Sequence, residues 1–144
     1  MTSNNFMRLE FAAKSINEGF ARTAIAAFAA QLDPTLEDIV ELKTAVSEAV
    51  TNAIIHGYEG RGGVVTLTAE MIDNNTGISI TVEDSGCGIE DIEQARRPLY
   101  TSKPDEGRAG MGFAVMETFM DTLTVTSAKN EGTKVCMTKK FKTE

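Results

Sequence analysis

The sequence is poor in the residues that build metal and disulfide frameworks. It has two cysteines, Cys87 and Cys136, and one histidine, His56, in 144 residues. A structural zinc site needs four Cys or His ligands at characteristic spacings, and a disulfide scaffold needs several cysteine pairs. We therefore exclude both frameworks and expect a reduced, cytoplasmic setting.

Positive charge and long apolar runs are also scarce. The chain carries 14 Lys and Arg residues against 21 Asp and Glu residues, a formal net charge of -7. The sequence thus lacks a broad basic surface, which argues against nucleic acid as a direct partner. It has no run of about eighteen apolar residues and no charged-then-apolar leader, so we expect neither a membrane span nor a secretory signal.

What the chain does have is hydrophobic periodicity along most of its length. The 144 residues predict one domain, residues 1–144. Strands are expected at 7–12, 65–71, 78–84, 123–128 and 133–141, and helices at 14–31, 35–55 and 113–121. Because every strand alternates between apolar and polar residues, one face of the sheet is covered by helices. We predict an α+β two-layer sandwich with a mainly antiparallel sheet.

The two long helices have apolar residues at helical spacing. In the first, with Ser15 as a possible cap, these residues are Ile16, Phe20, Ala24 and Ala27. In the second, with Thr35 as the cap, the core stripe is Ile39, Leu42, Val46, Val50 and Ala53.

Glu48 and Asn52 lie away from the core stripe of the second helix. Residues four apart project side by side from one helix face, so this pair places a carboxylate next to a carboxamide. An ordinary solvated face would also account for such a pair.

Asp84 is the first anomaly among the strands, because alternation places it on the buried side after Ile78, Ile80 and Val82. A buried carboxylate needs a hydrogen-bond donor. The donor is either an amide of the following turn or a ligand group such as an exocyclic amine.

Two glycine pairs follow. Gly86 and Gly88 form a turn where backbone can approach a ligand, and Gly110 and Gly112 stand before a helix, where amide groups suit phosphate. Ordinary loops would explain each pair equally well. The sequence contains neither the P-loop nor the dinucleotide fingerprint, so phosphate must be held in another manner.

The order Glu48-x-x-x-Asn52, Asp84-x-Gly86-x-Gly88, Gly110-x-Gly112 and Gly132-Thr133 resembles a known domain. It is the nucleotide-binding domain shared by DNA gyrase, Hsp90, histidine kinases and MutL, called the GHKL or Bergerat fold. The resemblance spans essentially the whole chain. Within that superfamily, the segments SEAVTNAIIHGY, DSGCGI, RRPLYTSKP and RAGMGFAVMETFMD are similar to anti-sigma serine kinases of spore-forming bacteria.

The resemblance implies ATP or ADP and Mg2+ as ligands and assigns roles to particular residues. Asn52 would ligate the magnesium ion, and Asp84 would accept the adenine amine. Residues implied near the base are Gly86, Gly88 and Thr133, and residues implied near the phosphates are Lys103, Arg108, Gly110 and Gly112. Ordinary loop charge would also explain Lys103 and Arg108.

Glu48 decides which reaction the resemblance implies. Phosphoryl transfer needs one group to orient or deprotonate the nucleophile, and a carboxylate one turn before the metal ligand suits that role. A histidine kinase needs an acceptor histidine on another segment, whereas His56 lies beside the metal motif and is better explained as a capping or packing residue. The resemblance therefore implies a serine-protein kinase.

This kinase would bind and inhibit a sporulation sigma factor and phosphorylate its anti-anti-sigma antagonist. A non-catalytic nucleotide-gated binding module and a detached histidine-kinase catalytic domain are the alternatives. The resemblance places partner contacts at Glu18 and Arg22, where a solvated helix face is the other interpretation. It also implies a homodimer, for which the exposed edge of the first strand is a candidate surface.

Overall fold

The computed structural model describes residues 4–58, 62–88 and 112–141. In these ranges the strands are β1 (Phe6–Ala12), β2 (Val64–Ile72), β3 (Gly77–Asp84), β4 (Thr122–Ala128) and β5 (Gly132–Lys140). The helices are α1 (Ile16–Ala29), α2 (Leu36–Thr51) and α3 (Gly112–Phe119), with a 3-10 turn at Ala30–Leu32 and a π-helical turn at Asn52–Gly57. None of the described helices is long and apolar enough to cross a membrane.

The strands form one sheet in the order β1-β2-β3-β5-β4, and all neighbours are antiparallel. The register aligns one apolar row across the sheet, consisting of Leu9, Leu67, Val82, Val135 and Val125. The three central members of this row are buried and the two at the edges are half-buried. The predicted α+β sandwich with an antiparallel sheet is therefore confirmed.

Helix α2 begins and packs as its sequence predicts. The Thr35 hydroxyl accepts a hydrogen bond from the Asp38 amide at 3.0 Å, and the Asp38 carboxylate accepts one from the Thr35 amide at 3.3 Å. This reciprocal capping box satisfies amides that the first helical turn leaves unpaired. Leu42, Val46 and Val50 are fully buried, which orients the opposite side of the helix toward the site described below.

The end of this helix differs from the regular helix predicted to about Ile55. The α-helix ends at Thr51, and a π-helical turn continues the chain from Asn52 to Gly57. Its wider spacing is visible at Tyr58, whose amide donates to the Ala53 carbonyl five residues earlier, at 3.2 Å. Such turns occur frequently at functional sites, and this one begins at the predicted metal ligand.

The apolar face predicted for α1 is wrong. Ile16 is 83 % exposed and Phe20 is 55 % exposed. The residues that α1 buries are instead Ala21, Ile25, Phe28 and Ala29. This helix carries small and apolar residues on most sides, so periodicity alone could not select the stripe that faces the sheet.

The predicted Ser15 cap of α1 is also wrong. Ser15 precedes the helix, but it has helical dihedral angles (φ -56°, ψ -31°) and makes no side-chain capping bond. An N-cap residue needs an extended conformation for its hydroxyl to reach the following amides. Here backbone carbonyls serve instead, because the Asn17 amide donates to Lys14 at 2.9 Å.

Candidate nucleotide site

The predicted polar pair of α2 faces the start of α3. A β-carbon placed on Gly112 would lie 2.9 Å from Asn52 Nδ2, 3.2 Å from Asn52 Oδ1 and 3.4 Å from Glu48 Oε2. Gly112 is buried and is the first residue of α3. The carboxylate and the carboxamide therefore converge on one helix terminus, where any side chain larger than hydrogen would displace them.

The electrostatics of this point favour negative charge. The first amides of an α-helix lack intrahelical partners, and the helix dipole is positive at this end. Such a terminus stabilises a carboxylate and is a common binding site for phosphate. Glu48, Asn52 and the N-terminus of α3 together offer an acceptor, an amide and a positive dipole within one small region.

Asp84 ends β3 and is half-buried opposite Thr133 of β5. The Gly86 amide donates to Asp84 Oδ1 at 2.9 Å. Burial raises the pKa of Asp84, although hydrogen bonds from the backbone of Gly86 and Thr133 act in the opposite direction. Because the pKa is raised overall, the two hydrogen bonds do not fully offset the cost of burying the ionised carboxylate. A further hydrogen-bond donor from a ligand would stabilise it.

Backbone contacts fix the turn that follows Asp84. Gly88 has φ +76°, and a β-carbon there would collide with the Ala128 carbonyl; Gly132 has φ +93°, and a β-carbon there would collide with the Asp84 carbonyl. The Asn130 amide also donates to the Cys87 carbonyl at 2.5 Å. The β4–β5 turn therefore packs directly on the glycine turn, which gives Gly88 a role in protein packing as well as the one predicted near a base.

Thr133 lies beside this pocket and is held by its neighbour in β4. Its hydroxyl is 2.8 Å from the Ser127 hydroxyl, which also donates to the Gly132 carbonyl at 2.8 Å. The residues predicted near the base, Gly86, Gly88 and Thr133, thus lie close to Asp84, where β3 ends and β5 begins.

The described residues contain no group of three or more His, Cys, Asp or Glu side chains that could enclose a metal ion. A protein-enclosed cage for a tightly held metal is therefore not present in ranges 4–58, 62–88 and 112–141. Mg2+ usually keeps several waters and shares a few protein oxygens with substrate phosphates. The side-chain oxygen of Asn52, next to a phosphate-type helix terminus, fits that pattern.

Several predicted residues lie outside the described part of the chain. They are Lys103, Arg108 and Gly110, and the side chain of His56 is likewise outside it. The two predicted partner-contact residues, Glu18 and Arg22, lie within the described part of the chain, on α1. Arg22 Nε is 3.4 Å from Glu18 Oε2, and the side chains of Arg22 and Glu18 are 43 % and 21 % exposed. These two residues therefore pair with each other and remain partly accessible.

Sequence reasoning assigned no role to two residues that matter here. Tyr58 bridges the helix end and the Asp84 turn, and Lys139 is buried among charged groups. A signal existed for Lys139, because alternation with Val135 and Met137 places it on the buried side of β5. Tyr58 followed a helix-ending glycine and could not be distinguished from an ordinary loop aromatic.

Comparison with known proteins identifies the family of the chain. Residues 11–139 match the model of the histidine kinase-like ATPase domain. The chain belongs to this family, and the predicted GHKL resemblance is confirmed. It is also 63 % identical to an anti-sigma F factor of Clostridium perfringens over 141 residues, 97 % of this chain and 99 % of that protein.

Other relatives have the same description. The anti-sigma F factor of Clostridium acetobutylicum is 61 % identical, over 95 % of this chain and 94 % of that protein. That of Caldanaerobacter subterraneus is 59 % identical, over 96 % of each. Within the ATPase family, the chain therefore belongs to the anti-sigma F factors.

Solved structures show the same fold at low sequence identity. The RsbU and RsbW domains of a Mycobacterium tuberculosis protein align with TM-score 0.68 and 18 % identity, over 97 % of this chain and 33 % of that one. A blue-light activated histidine kinase of Erythrobacter litoralis aligns with TM-score 0.56 and 23 % identity, over 86 % of this chain and 61 % of that one.

Proposed function

We propose that this protein binds and inhibits sigma F and phosphorylates its anti-anti-sigma antagonist on serine, with ATP and Mg2+. Membership of the anti-sigma F factors within the histidine kinase-like ATPase family supports the nucleotide and the sigma factor. The observation that carries the catalytic part is the convergence of Glu48 and Asn52 on Gly112 at the start of α3.

The proposed reaction transfers the γ-phosphoryl group of ATP to a protein hydroxyl. The serine oxygen attacks the γ-phosphorus, the bond from that phosphorus to the β–γ bridging oxygen breaks, and ADP leaves. Glu48 accepts the proton of the serine hydroxyl, a step for which its carboxylate is suited. The N-terminus of α3 stabilises the negative charge of the phosphates.

Asn52 would hold Mg2+ through its side-chain oxygen. The ion would neutralise charge on the phosphates. We assign adenine recognition to Asp84, since its incompletely compensated carboxylate needs a donor and the exocyclic amine supplies one. Gly86, Gly88 and Thr133 would form the surroundings of the base, and Lys103, Arg108, Gly110 and Gly112 those of the phosphates.

Two alternatives are less well supported. A nucleotide-gated binding module would not need a carboxylate one turn from the metal ligand. A detached histidine-kinase catalytic domain would transfer phosphate to a histidine of a partner, and its product would be acid-labile. The 59–63 % identity to anti-sigma F factors favours serine chemistry over both.

The remaining features of the proposal concern assembly and location. Glu18 and Arg22, which stay partly exposed on α1, would contact protein partners. The edge strand β1 would form a homodimer. Residues 1–144 would act as one domain in the cytoplasm.

Labelled ATP tests the proposal directly. The protein is incubated with Mg2+, γ-labelled ATP and the anti-anti-sigma protein, and the product is analysed for phosphoserine and for acid-labile phosphohistidine. We expect label on serine only. Absence of label with ATP binding intact would favour the binding module, and acid-labile label would favour the histidine kinase.

A further inference from the structure

The hydroxyl of Tyr58 lies between two segments that carry proposed nucleotide residues. It accepts a hydrogen bond from the Ser85 amide at 2.7 Å and donates one to the Val64 carbonyl at 2.6 Å. Tyr58 directly follows the π-helical turn that begins with Asn52, and Ser85 directly follows Asp84. One side chain thus joins the end of the α2 segment, the start of β2 and the glycine turn.

The direction of both hydrogen bonds is determined by their partners. A backbone amide can only donate and a carbonyl can only accept, so the single phenolic proton points to Val64. Both distances are typical of well-formed bonds. The register between β3 and β5 ends at the pair Asp84 and Thr133, so the Ser85 amide finds its partner in Tyr58 and not in the sheet.

The ring that carries this hydroxyl packs against the backbone of Gly63, which has no side chain. Gly63 has φ +158°, and a β-carbon there would lie 2.6 Å from Cζ of Tyr58. The Gly63 carbonyl accepts a hydrogen bond from the Ala13 amide at 2.9 Å. Since Gly63 is itself tied to the end of β1, the ring packs against a fixed surface.

We propose that Tyr58 is a positioning residue for the base pocket. Its hydroxyl anchors the first amide of the turn, which sets the Gly86 amide at 2.9 Å from Asp84 Oδ1. The orientation of the Asp84 carboxylate toward the base therefore depends on Tyr58. This inference rests on the proposed function, in which Asp84 accepts a hydrogen bond from the exocyclic amine of adenine.

Tyr58→Phe removes only the hydroxyl and keeps the ring. The Ser85 amide and the Val64 carbonyl then lose a partner, and the turn loosens. A lost hydrogen bond of this kind predicts an ATP affinity about fivefold to tenfold weaker. The affinity ratio of ATP to GTP should fall as well, because the carboxylate that distinguishes the two bases is less well oriented. A purely structural role would lower the melting temperature and leave this ratio unchanged.

Two further variants strengthen the test. Gly63→Ala keeps the hydroxyl but displaces the ring, and it should shift the ATP to GTP ratio in the same direction. Thr76→Val is the matched control: it removes a hydroxyl that donates to the Asp73 carbonyl at 2.7 Å in the β2–β3 turn. This control should leave the ratio at its wild-type value.

Asp84→Asn, measured in the same titration with fluorescent adenine and guanine nucleotides, separates the two proposals. If Asp84→Asn and Tyr58→Phe both lower the ATP to GTP ratio, the positioning role is supported. A lower ratio for Asp84→Asn with an unchanged ratio for Tyr58→Phe would overturn the role of Tyr58 alone. An unchanged ratio for Asp84→Asn would overturn the proposed adenine contact, and the inference with it.

Discussion

Asp84 combines a strand-end position with partial burial, and this combination has a consequence for stability. Burial raises the pKa of Asp84 above its ordinary value of 3.8. A group with a raised folded-state pKa favours the folded protein below the unfolded pKa, and this contribution is lost as pH rises through the folded pKa. The ionised carboxylate is therefore a local cost near neutral pH, which a bound base would offset.

Asp84→Asn removes this titration while preserving size. We expect the free energy of unfolding of the wild type, relative to the variant, to increase as pH falls from about 7 toward about 4. Urea denaturation of both proteins without nucleotide across this range measures the difference. A difference that stays constant, or that changes in the opposite direction, would contradict the assignment.

Part of the site is predictable residue by residue. Glu48, Asn52 and Asp84 carry polar groups where a helix or strand pattern does not need them, which made them candidates, but only the family resemblance assigned a role to each. Tyr58 could not be identified from the sequence, because its role depends on a hydroxyl that reaches Ser85, 27 positions away. Periodicity reports which face a side chain occupies but not which distant backbone group it meets.

Among the elements, α1 differs most from its prediction, because its buried face is not the one that periodicity indicates. Periodicity predicted a core face with Ile16 and Phe20, but packing against the sheet and α2 buries the one with Ile25 and Phe28, because apolar residues lie on several sides of the helix. Ile16 and Phe20 are left exposed.

The same substitution at two positions of α1 tests this assignment. Ile25→Ala should cost about 2–5 kcal/mol in the free energy of unfolding, because it leaves a cavity in the core. Ile16→Ala should change it by no more than about 0.5 kcal/mol, since that side chain is largely in solvent. Chemical denaturation provides both values. Equal losses of stability at the two positions would contradict the assignment of Ile25 to the core and Ile16 to the surface.

Lys139 connects three elements from the buried side of β5. Its ammonium group lies 3.0 Å from Glu41 Oε1, 4.0 Å from Asp38 Oδ1 and 2.9 Å from the Phe119 carbonyl. Its side chain is 7 % exposed. One buried cation thus joins α2, the C-terminal end of α3 and β5, which helps to hold α3 against α2.

Lys139→Met should be strongly destabilising, because it leaves the carboxylates of α2 without their buried cation. We expect a loss of about 3–5 kcal/mol in the free energy of unfolding. Lys140→Met is the matched control on the exposed side of the same strand and should change stability by no more than about 0.5 kcal/mol. Similar losses for the two variants in urea titrations would show that the buried cation has no special role.

For the whole molecule, the fold was largely predictable because strand alternation and helix periodicity agree with each other. One-sided alternation in each strand required helices on one face, whereas the sheet order was not predicted, because β5 and not the next strand β4 lies beside β3. The π-helical turn was not predictable, because hydrophobic spacing does not report a change in backbone hydrogen bonding over a single turn.

The proposed homodimer can be tested at the edge strand β1. On its outer face Arg8 and Glu10 lie 3.6 Å apart. If two copies of β1 pair antiparallel about Leu9, Arg8 of each copy faces Glu10 of the other, and opposite charges there stabilise the pairing.

Arg8→Glu should therefore weaken the dimer, and the exchange of both charges, Arg8→Glu with Glu10→Arg, should restore it. Sedimentation equilibrium at several protein concentrations measures the dissociation constant of each variant. A dimer that is unaffected by the single change, or not restored by the double change, would place the interface elsewhere.

The central claim is that Glu48 converts a nucleotide-binding domain into a serine kinase. The most direct measurement compares wild type with Glu48→Gln for both ATP affinity and the rate of phosphoserine formation on the anti-anti-sigma protein. Loss of a general base predicts a rate lower by about 100-fold to 10,000-fold, with ATP affinity close to that of the wild type. A near-normal rate, or a loss of ATP binding that accounts for the slower transfer, would contradict the claim.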